Sequence, residues 1–277
     1  MNSFDDVLAC IRPTKIDECL YSGNSVPQRD RIFGGQVISQ CLLAANDTVD
    51  RKFSAHSLHA YFLRAGNAEE PIEFEVDPIR DGRSFVTRRV VARQQGKAIF
   101  NTSISYQIDE EGLHHDDSYP AWVRSPEQLL TEEYSEKMPA RFYKRKYYNI
   151  DGLPACPPAD ADVRPIQANW FRADTFTSHD PRDHQAALAL ISDFSLLGSG
   201  IRAQGMYDQY QEFMTASIDH ALWFHAPIKA DDWLLYLCES PWAGNGRSYG
   251  RGKLWSRDGQ LLASACQEGL MRKLRKE

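Results

Sequence analysis

His56-Ser57-Leu58-His59-Ala60-Tyr61-Phe62 and Ser217-Ile218-Asp219-His220-Ala221-Leu222-Trp223 read as one piece of protein written twice. At an offset of 161 residues they pair His59 with His220, Ala60 with Ala221 and Phe62 with Trp223. Downstream, Asp81-Gly82-Arg83-Ser84-Phe85 matches Asn245-Gly246-Arg247-Ser248-Tyr249 at an offset of 164. A third echo pairs Gln95-Gly96-Lys97-Ala98-Ile99 with Asp258-Gly259-Gln260-Leu261-Leu262. Three echoes in one order imply an ancestral unit of about 110 residues used twice, a period far too long for a solenoid. Residues shared by the copies then read as fold-building. Polar residues present in one copy only read as candidates for chemistry.

Each copy opens with a helical stretch, residues 35–46 in the first and 184–193 in the second. Ala186 to Ile191 are all apolar, and Val37, Ile38, Cys41, Leu42, Ala44 and Ala45 nearly surround the first helix. A helix apolar nearly all round is buried rather than laid on a surface. Strand patterns follow: 57–63, 71–78, 84–93 and 98–107 in copy one, then 217–224, 233–239, 248–256 and 261–271 in copy two. Ile72-Glu73-Phe74-Glu75-Val76 alternates strictly, as a half-buried strand does. Asp258-Gly259 and Gln95-Gly96 mark hairpin turns. A further strand is expected before each helix, around 18–21 and 166–171. The organisation is thus an N-terminal unit (1–110), a linker (111–163) and a C-terminal unit (164–277). The linker is polar and turn-rich, with a helix expected around 125–138 that starts at Ser125-Pro126.

With 42% hydrophobic and 25% charged residues, the composition is that of an ordinary soluble globular protein. The net charge of −6 supplies no bulk basic field for nucleic acid. The longest apolar runs, Ala186–Ile191 and Trp233–Cys238, fall far short of the roughly 20 residues of a membrane span. Asp5, Asp6, Arg12 and Lys15 interrupt any signal-peptide core, and Arg275-Lys276-Glu277 is not a peroxisomal tripeptide, so a cytoplasmic location is expected. The cysteines at 10, 19, 41, 156, 238 and 266 form no C-x-x-C pair and lie near no spaced His pair. No metal, redox site or cofactor is expected, and the thiols read as buried and reduced.

Arg31-Ile32-Phe33-Gly34-Gly35-Gln36, Ser57-Leu58-His59-Ala60-Tyr61-Phe62-Leu63-Arg64, Ser217-Ile218-Asp219-His220-Ala221-Leu222-Trp223-Phe224-His225 and Gln267-Glu268-Gly269-Leu270-Met271-Arg272 together resemble the acyl-CoA thioesterase II family. The resemblance spans nearly the whole chain, in order. It implies an α+β double hotdog fold, two curled antiparallel sheets each wrapped around a central helix. It also implies hydrolysis of acyl-CoA to free fatty acid and CoA. The family uses an Asp, a Ser or Thr, and a Gln to hold and activate a water, and the matching positions here are Asp193, Ser217 and Gln267. Bacterial members often carry Thr at the second position, while Ser occurs in peroxisomal relatives, so the hydroxyl is kept. A homo-oligomer, dimer or tetramer, is expected.

Each candidate also has a plain structural reading. Asp193 closes an apolar helix, where a carboxylate faces the negative end of the dipole and pays for burial unless donors surround it. It reads either as a base or as a cap on the next turn. Asn46 or Asp47 is its approximate counterpart in copy one, and His56 that of Ser217. No G-x-S-x-G elbow surrounds Ser217, so it reads as a water-positioning hydroxyl or a strand-start Ser bonding backbone. The Gln267 amide can donate and accept, which suits a bridge between water and carboxylate; the alternative is a solvated strand residue. Glu268 is a rival base on the opposite strand face. Gly34-Gly35 reads as close packing or as an oxyanion contributor. His59 and His220 recur in both copies and read as structural. Arg83 and Arg247, with Arg88, Arg89 and Arg251 behind them, are candidates for CoA phosphates or solvated surface. Two rival functions stay open: a hotdog hydratase or dehydratase on acyl thioesters, and a non-catalytic acyl-CoA-binding module.

Overall fold

The duplication is written in the order of the strands. The computed structural model describes residues 1–27, 31–131, 143–155, 157 and 166–274. In the first half, α1 (Phe4–Ile11), β1 (Thr14–Asp17) and β2 (Leu20–Gly23) precede α2 (Gly34–Asn46). Then come β3 (Phe53–Phe62), β4 (Ile72–Asp81), β5 (Phe85–Gln94) and β6 (Lys97–Ile108). A short α3 (Pro126–Leu129), β7 (Tyr143–Arg145) and β8 (Ile150–Pro154) follow. The second half runs β9 (Gln167–Ala173), α4 (Pro181–Ser192), α5 (Leu196–Ala203), a 3-10 turn (Tyr207–Glu212), β10 (Phe213–Ser217) and β11 (Asp219–Phe224). It closes with β12 (Leu234–Gly244), β13 (Arg247–Trp255) and β14 (Leu261–Lys273). Of the helix expected around 125–138, α3 is seen, while Glu132, Glu133 and Met138 lie outside the described residues, as do Cys156 and Arg275-Lys276-Glu277.

The sheet order is β1-β2-β4-β5-β6-β3-β11-β14-β13-β12-β9-β8-β7, with β10 also on β14. From one side it reads β2-β4-β5-β6-β3, and from the other β9-β12-β13-β14-β11. These are the same strand order twice, antiparallel throughout, meeting where β3 pairs β11. The hairpin turns behave as their sequences require. Gln95-Gly96 (φ 49° and 71°) and Asn245-Gly246 (φ 48° and 69°) hold two successive left-handed residues, the geometry of the tight turns that match strand twist.

Register corrects one expectation. In the β3–β11 pair His59 lies opposite Ala221, and Ala60 opposite His220. His59 faces outward, edge-on to Trp223 at 5.1 Å between ring centroids. His220 points inward and is buried. Shifting a strand by one residue exchanges its faces, so the offset that equates these histidines equates opposite sides of the sheet.

Helices α2 and α4 lie against each other in the core, running in opposite directions, so that the start of each meets the end of the other. Every residue from Gly35 to Asn46 is buried. Val37, Ile38, Leu42 and Leu43 each contribute about 1.5–3 kcal/mol on burial. Gln36 donates to Ser25 Oγ (3.0 Å) and Gln40 to the carbonyls of Ile11 and Asn24 (2.9 Å each), while Ser39 Oγ and Asn46 Nδ2 are buried without a partner among the described residues. The stretch Pro181–Ala203 matches a membrane span in length and composition, but most of it is buried inside the protein. It breaks at Asp193–Ser195, where Ser195 takes a left-handed φ of 77°, and α5 then packs on β12, β13 and β14.

Candidate active site

Asp193 stands at the break between α4 and α5, the first residue past the end of the apolar helix. Three donors from three places converge on its carboxylate. Gln267, inward-facing on β14, donates from Nε2 to Oδ1 at 2.6 Å. Ser217, the last residue of β10, points Oγ at the same oxygen from 3.5 Å. Gly35, in the first turn of α2, donates its backbone N–H to Oδ2 at 2.9 Å. The structure therefore brings all three residues expected from the resemblance to one point.

The approach of α2 depends on its glycines. A Cβ on Gly35 would sit 2.3 Å from the carbonyl oxygen of Leu190, and one on Gly34 would sit 2.6 Å from Asp193 Oδ2. Close packing and polar contact thus coincide at Gly34-Gly35. The dipole argument drawn from α4 alone also changes: Asp193 caps the negative end of α4 but faces the positive end of α2. Burial pushes the Asp193 pKa up to about 6, and the bonds from Gln267, Gly35 and Ser217 pull in the opposite direction. Such a carboxylate is ionised at neutral pH yet basic enough to accept a proton.

Behind Gln267 lies a chain of bonds that sequence reading did not anticipate. Ser192 donates its hydroxyl to Ala189 O at 2.8 Å. Its single proton being used, the 2.9 Å contact between Ser192 Oγ and His220 Nε2 has the histidine as donor. His220 Nδ1 is then an acceptor, facing Gln267 Nε2 at 3.4 Å. Burial holds the His220 pKa down to about 3, so the ring stays neutral. With Asp193 and His220 both requiring donors, the Gln267 amide nitrogen must face them. Its Oε1, buried and without a partner among the described residues, is left free to accept. Tyr236 fixes the other side of Ser192 by donating to its carbonyl at 2.7 Å. The inward alternation of Asp219-His220-Ala221 along β11 was the available signal, and the apparent repeat with His59 masked it.

The carboxylate opens onto a cavity of about 970 Å³. Its apolar wall includes Phe33, Val37, Phe62, Phe100, Phe194 and Leu197, the lining expected for an apolar ligand. Arg31, Arg64 and Arg145 line the same cavity. The arginines singled out from sequence do not. Arg88 bonds Asp81, Arg89 bonds Asp77, Arg247 bonds Glu268 and Arg251 bonds Glu239. Arg83 lines a separate cavity of about 540 Å³ beside Thr48 and Lys52. Glu268, the rival base, is tied to Arg247 and is not on the wall of the Asp193 cavity.

The corresponding end of the other repeat is built differently. Asp47 holds the end of α2 as Asp193 holds that of α4, but it accepts from Tyr21 at 2.8 Å. Tyr106 bonds Asn46 Oδ1 at 3.0 Å. Arg182, in the first turn of α4, donates to the carbonyls of Asn46, Val49, Asp50 and Phe53. A guanidinium thus occupies the position that the Gly35 amide holds opposite Asp193. Ala55 pairs with Tyr106 as Ser217 pairs with Gly269, and His56 falls in the register shift beside Ala55, bonded to Ser105 at 2.8 Å.

Comparison with known proteins places these features in a family. Residues 22–107 match the family described as the acyl-CoA thioesterase N-terminal domain, and residues 114–271 match the acyl-CoA thioesterase C-terminal domain. The chain is similar to acyl-coenzyme A thioesterase 8 of Mus musculus, with 38% identity over 93% of this chain and 86% of that one. Among solved structures it is similar to acyl-CoA thioesterase II TesB2 from Mycobacterium marinum. That match has 37% identity, a TM-score of 0.81, and covers 96% of this chain and 98% of the other. A protein from Alicyclobacillus acidocaldarius described as having a hot dog fold matches at a TM-score of 0.77 and 20% identity, covering 98% of both chains. The fold is of the hotdog type.

Proposed function

This chain belongs to the acyl-CoA thioesterase family, and on that footing we propose that Asp193, Ser217 and Gln267 hold and activate the water that cleaves the substrate. The protein hydrolyses acyl-CoA thioesters, releasing a carboxylic acid and CoA. The observation that carries the assignment of residues is the 2.6 Å bond from Gln267 to Asp193 at the wall of a cavity with apolar sides.

In the proposed reaction the Ser217 hydroxyl turns from its long 3.5 Å contact with Asp193 to donate to a water, which in turn donates to Gln267 Oε1 and to Asp193. Asp193 takes its proton as the oxygen attacks the thioester carbon, a contribution of about 10²–10⁴-fold for a well-placed base. The C–O bond forms, the tetrahedral intermediate collapses with loss of the C–S bond, and Asp193 returns the proton to the thiolate. Held in line, the water also gains from orientation. The backbone N–H of Gly34, beside the carboxylate at the start of α2, is the donor we assign to the developing oxyanion. The alternative of a hydratase, pairing the carboxylate with a second acid–base group, is disfavoured by His220: it is neutral and held by Ser192.

The finer architecture belongs to the same reading. We take the repeated strand order and the two core helices to be two hotdog units, one to each half of the chain, within the partition expected from sequence. A cytoplasmic setting agrees with the buried free thiols of Cys41 and Cys238. Pairing of copies into a homo-oligomer remains part of the proposal, supported by exposed Tyr61 and Trp242 on the sheet. The test is thiol release across a series of saturated acyl-CoA chain lengths, with wild type and Asp193→Asn side by side. Turnover by wild type that survives unchanged in the variant would remove Asp193 from the role of base.

A further inference from the structure

We propose that Arg31, Arg64 and Arg145 form a phosphate-gripping rim on the Asp193 cavity, holding the nucleotide end of CoA while the thioester lies at the carboxylate. This rests on the thioesterase reading of the site and adds to it the group that fixes the leaving half of the substrate.

The three side chains come from separate segments and reach one cavity. Arg31 is anchored by a backbone bridge to Asn67, and its neighbour Ile32 donates to Gly66 O at 3.1 Å, so residues 31 and 64 sit on adjoining strips of backbone. Arg64 itself is braced by a 2.6 Å bond from Nη1 to Ala98 O. Arg145 ends β7 and lays its guanidinium over the Phe194 ring at 4.9 Å. Phe194 in turn stacks on Phe33 at 4.8 Å, next to Asp193 in the chain. A guanidinium stacked on an aromatic face keeps its edge N–H groups available, and that planar edge suits a phosphate.

All three are exposed, and none has a carboxylate partner among the described residues. The arginines first considered for phosphate, apart from Arg83, are consumed by ion pairs. The chain carries a net charge of −6, so three uncompensated cations around one opening are a local reversal of its field. Asp208 and Asp193 are the carboxylates on this cavity's described wall, and Asp193 already has its donors. Apolar sides suit an acyl chain but give the cations no purpose. The substrate's phosphates do.

The experiment compares an acyl-CoA with the same acyl group on pantetheine, a thioester that lacks every phosphate. Wild type and Arg31→Gln, Arg64→Gln and Arg145→Gln are assayed for thiol release on both. Losing one charge-assisted bond of this kind costs roughly ten-fold or more in affinity. The expected result is a KM for acyl-CoA raised roughly ten-fold or more in each variant, with kcat within about three-fold and the pantetheine thioester unaffected. Wild-type preference for CoA over pantetheine should shrink in step. Equal losses on both thioesters, or an unchanged KM for acyl-CoA, would overturn the proposal while leaving the thioesterase reading intact. Should wild type release no thiol from either, that reading falls, and calorimetric titration with free CoA decides the rim: binding weakened in the variants supports it, and binding unchanged or absent ends it. Arg→Lys versions, which keep charge, guard against a folding defect.

Discussion

Gly35 donates its backbone N–H to Asp193 Oδ2 across 2.9 Å, joining the first turn of one repeat's helix to the residue that ends the other's. The carboxylate is thereby placed at the positive end of a helix from a different part of the chain. That contact offsets part of the penalty of burial, which alone would lift the pKa further. The catalytic carboxylate proposed here is therefore a product of both repeats.

The rate should carry the titration of Asp193. Its folded pKa is raised to about 6, so the base is ionised above that pH and protonated below it. Activity is expected to rise with pH through about 6 and then level. Asp193→Asn should lower kcat by about 10²–10⁴-fold and abolish that acid limb. Stability moves the other way. The native state binds the proton more tightly than the unfolded chain, so wild type should lose stability as pH rises from about 4 to 6, and the variant should not. A kcat profile and thermal melts of both proteins over pH 4–8 check this pair of expectations.

Adding one carbon at Gly35 should damage the site from behind. The new Cβ would meet the Leu190 carbonyl at 2.3 Å, a backbone atom that cannot swing aside. Gly35→Ala is expected to destabilise by about 1–3 kcal/mol through overpacking, and to lower kcat by displacing the donor on Asp193. Denaturant midpoints read the first effect, and kcat on an acyl-CoA reads the second. A variant with wild-type values of both would show that α2 can retreat without consequence.

His220 is not among the residues lining the cavity but sets the face that Gln267 presents. His220→Leu should cut kcat about ten-fold with KM little changed, since the amide loses the second acceptor that fixes its orientation. In combination with Gln267→Leu the losses should fall well short of additive, because both act through one amide. Additive losses in that double-mutant cycle would make His220 a matter of packing alone.

Arg182 offers the opposite case. Its guanidinium bonds four carbonyls at the end of α2, far from Asp193 at the other end of the helix pair. Arg182→Met should lower unfolding free energy by about 1–3 kcal/mol while kcat stays within two-fold. Urea unfolding monitored by tryptophan fluorescence, alongside steady-state rates, tests it.

Much of the fold follows from local pattern. The apolar helices at 34–46 and 181–192, and the alternation along β4 and β5, are short-range signals that survive any tertiary arrangement. The repeat gave the doubling itself, and the echoing hairpins held because turn chemistry is local. Parity across the copies did not carry over. The match of His59 with His220 ignored the side of the strand, which only the pairing with β11 defines. Asp193, Ser217 and Gln267 entered through family likeness, since nothing in their own surroundings separates a base from a cap. The Gly35 donor, the His220 relay and the three cavity arginines were invisible for one physical reason. Each depends on groups far apart along the chain, and no propensity reports what folding brings together.

The seam between β3 and β11 has a last implication. Main-chain bonds cross from Tyr61 to Asp219 and onward along five facing residue pairs, so the two halves share one uninterrupted ladder in addition to the packing of α2 on α4. A cut in the connecting stretch would sever the polymer without parting the pieces. Co-expressed fragments should reassemble into a working whole, and neither alone should turn over substrate.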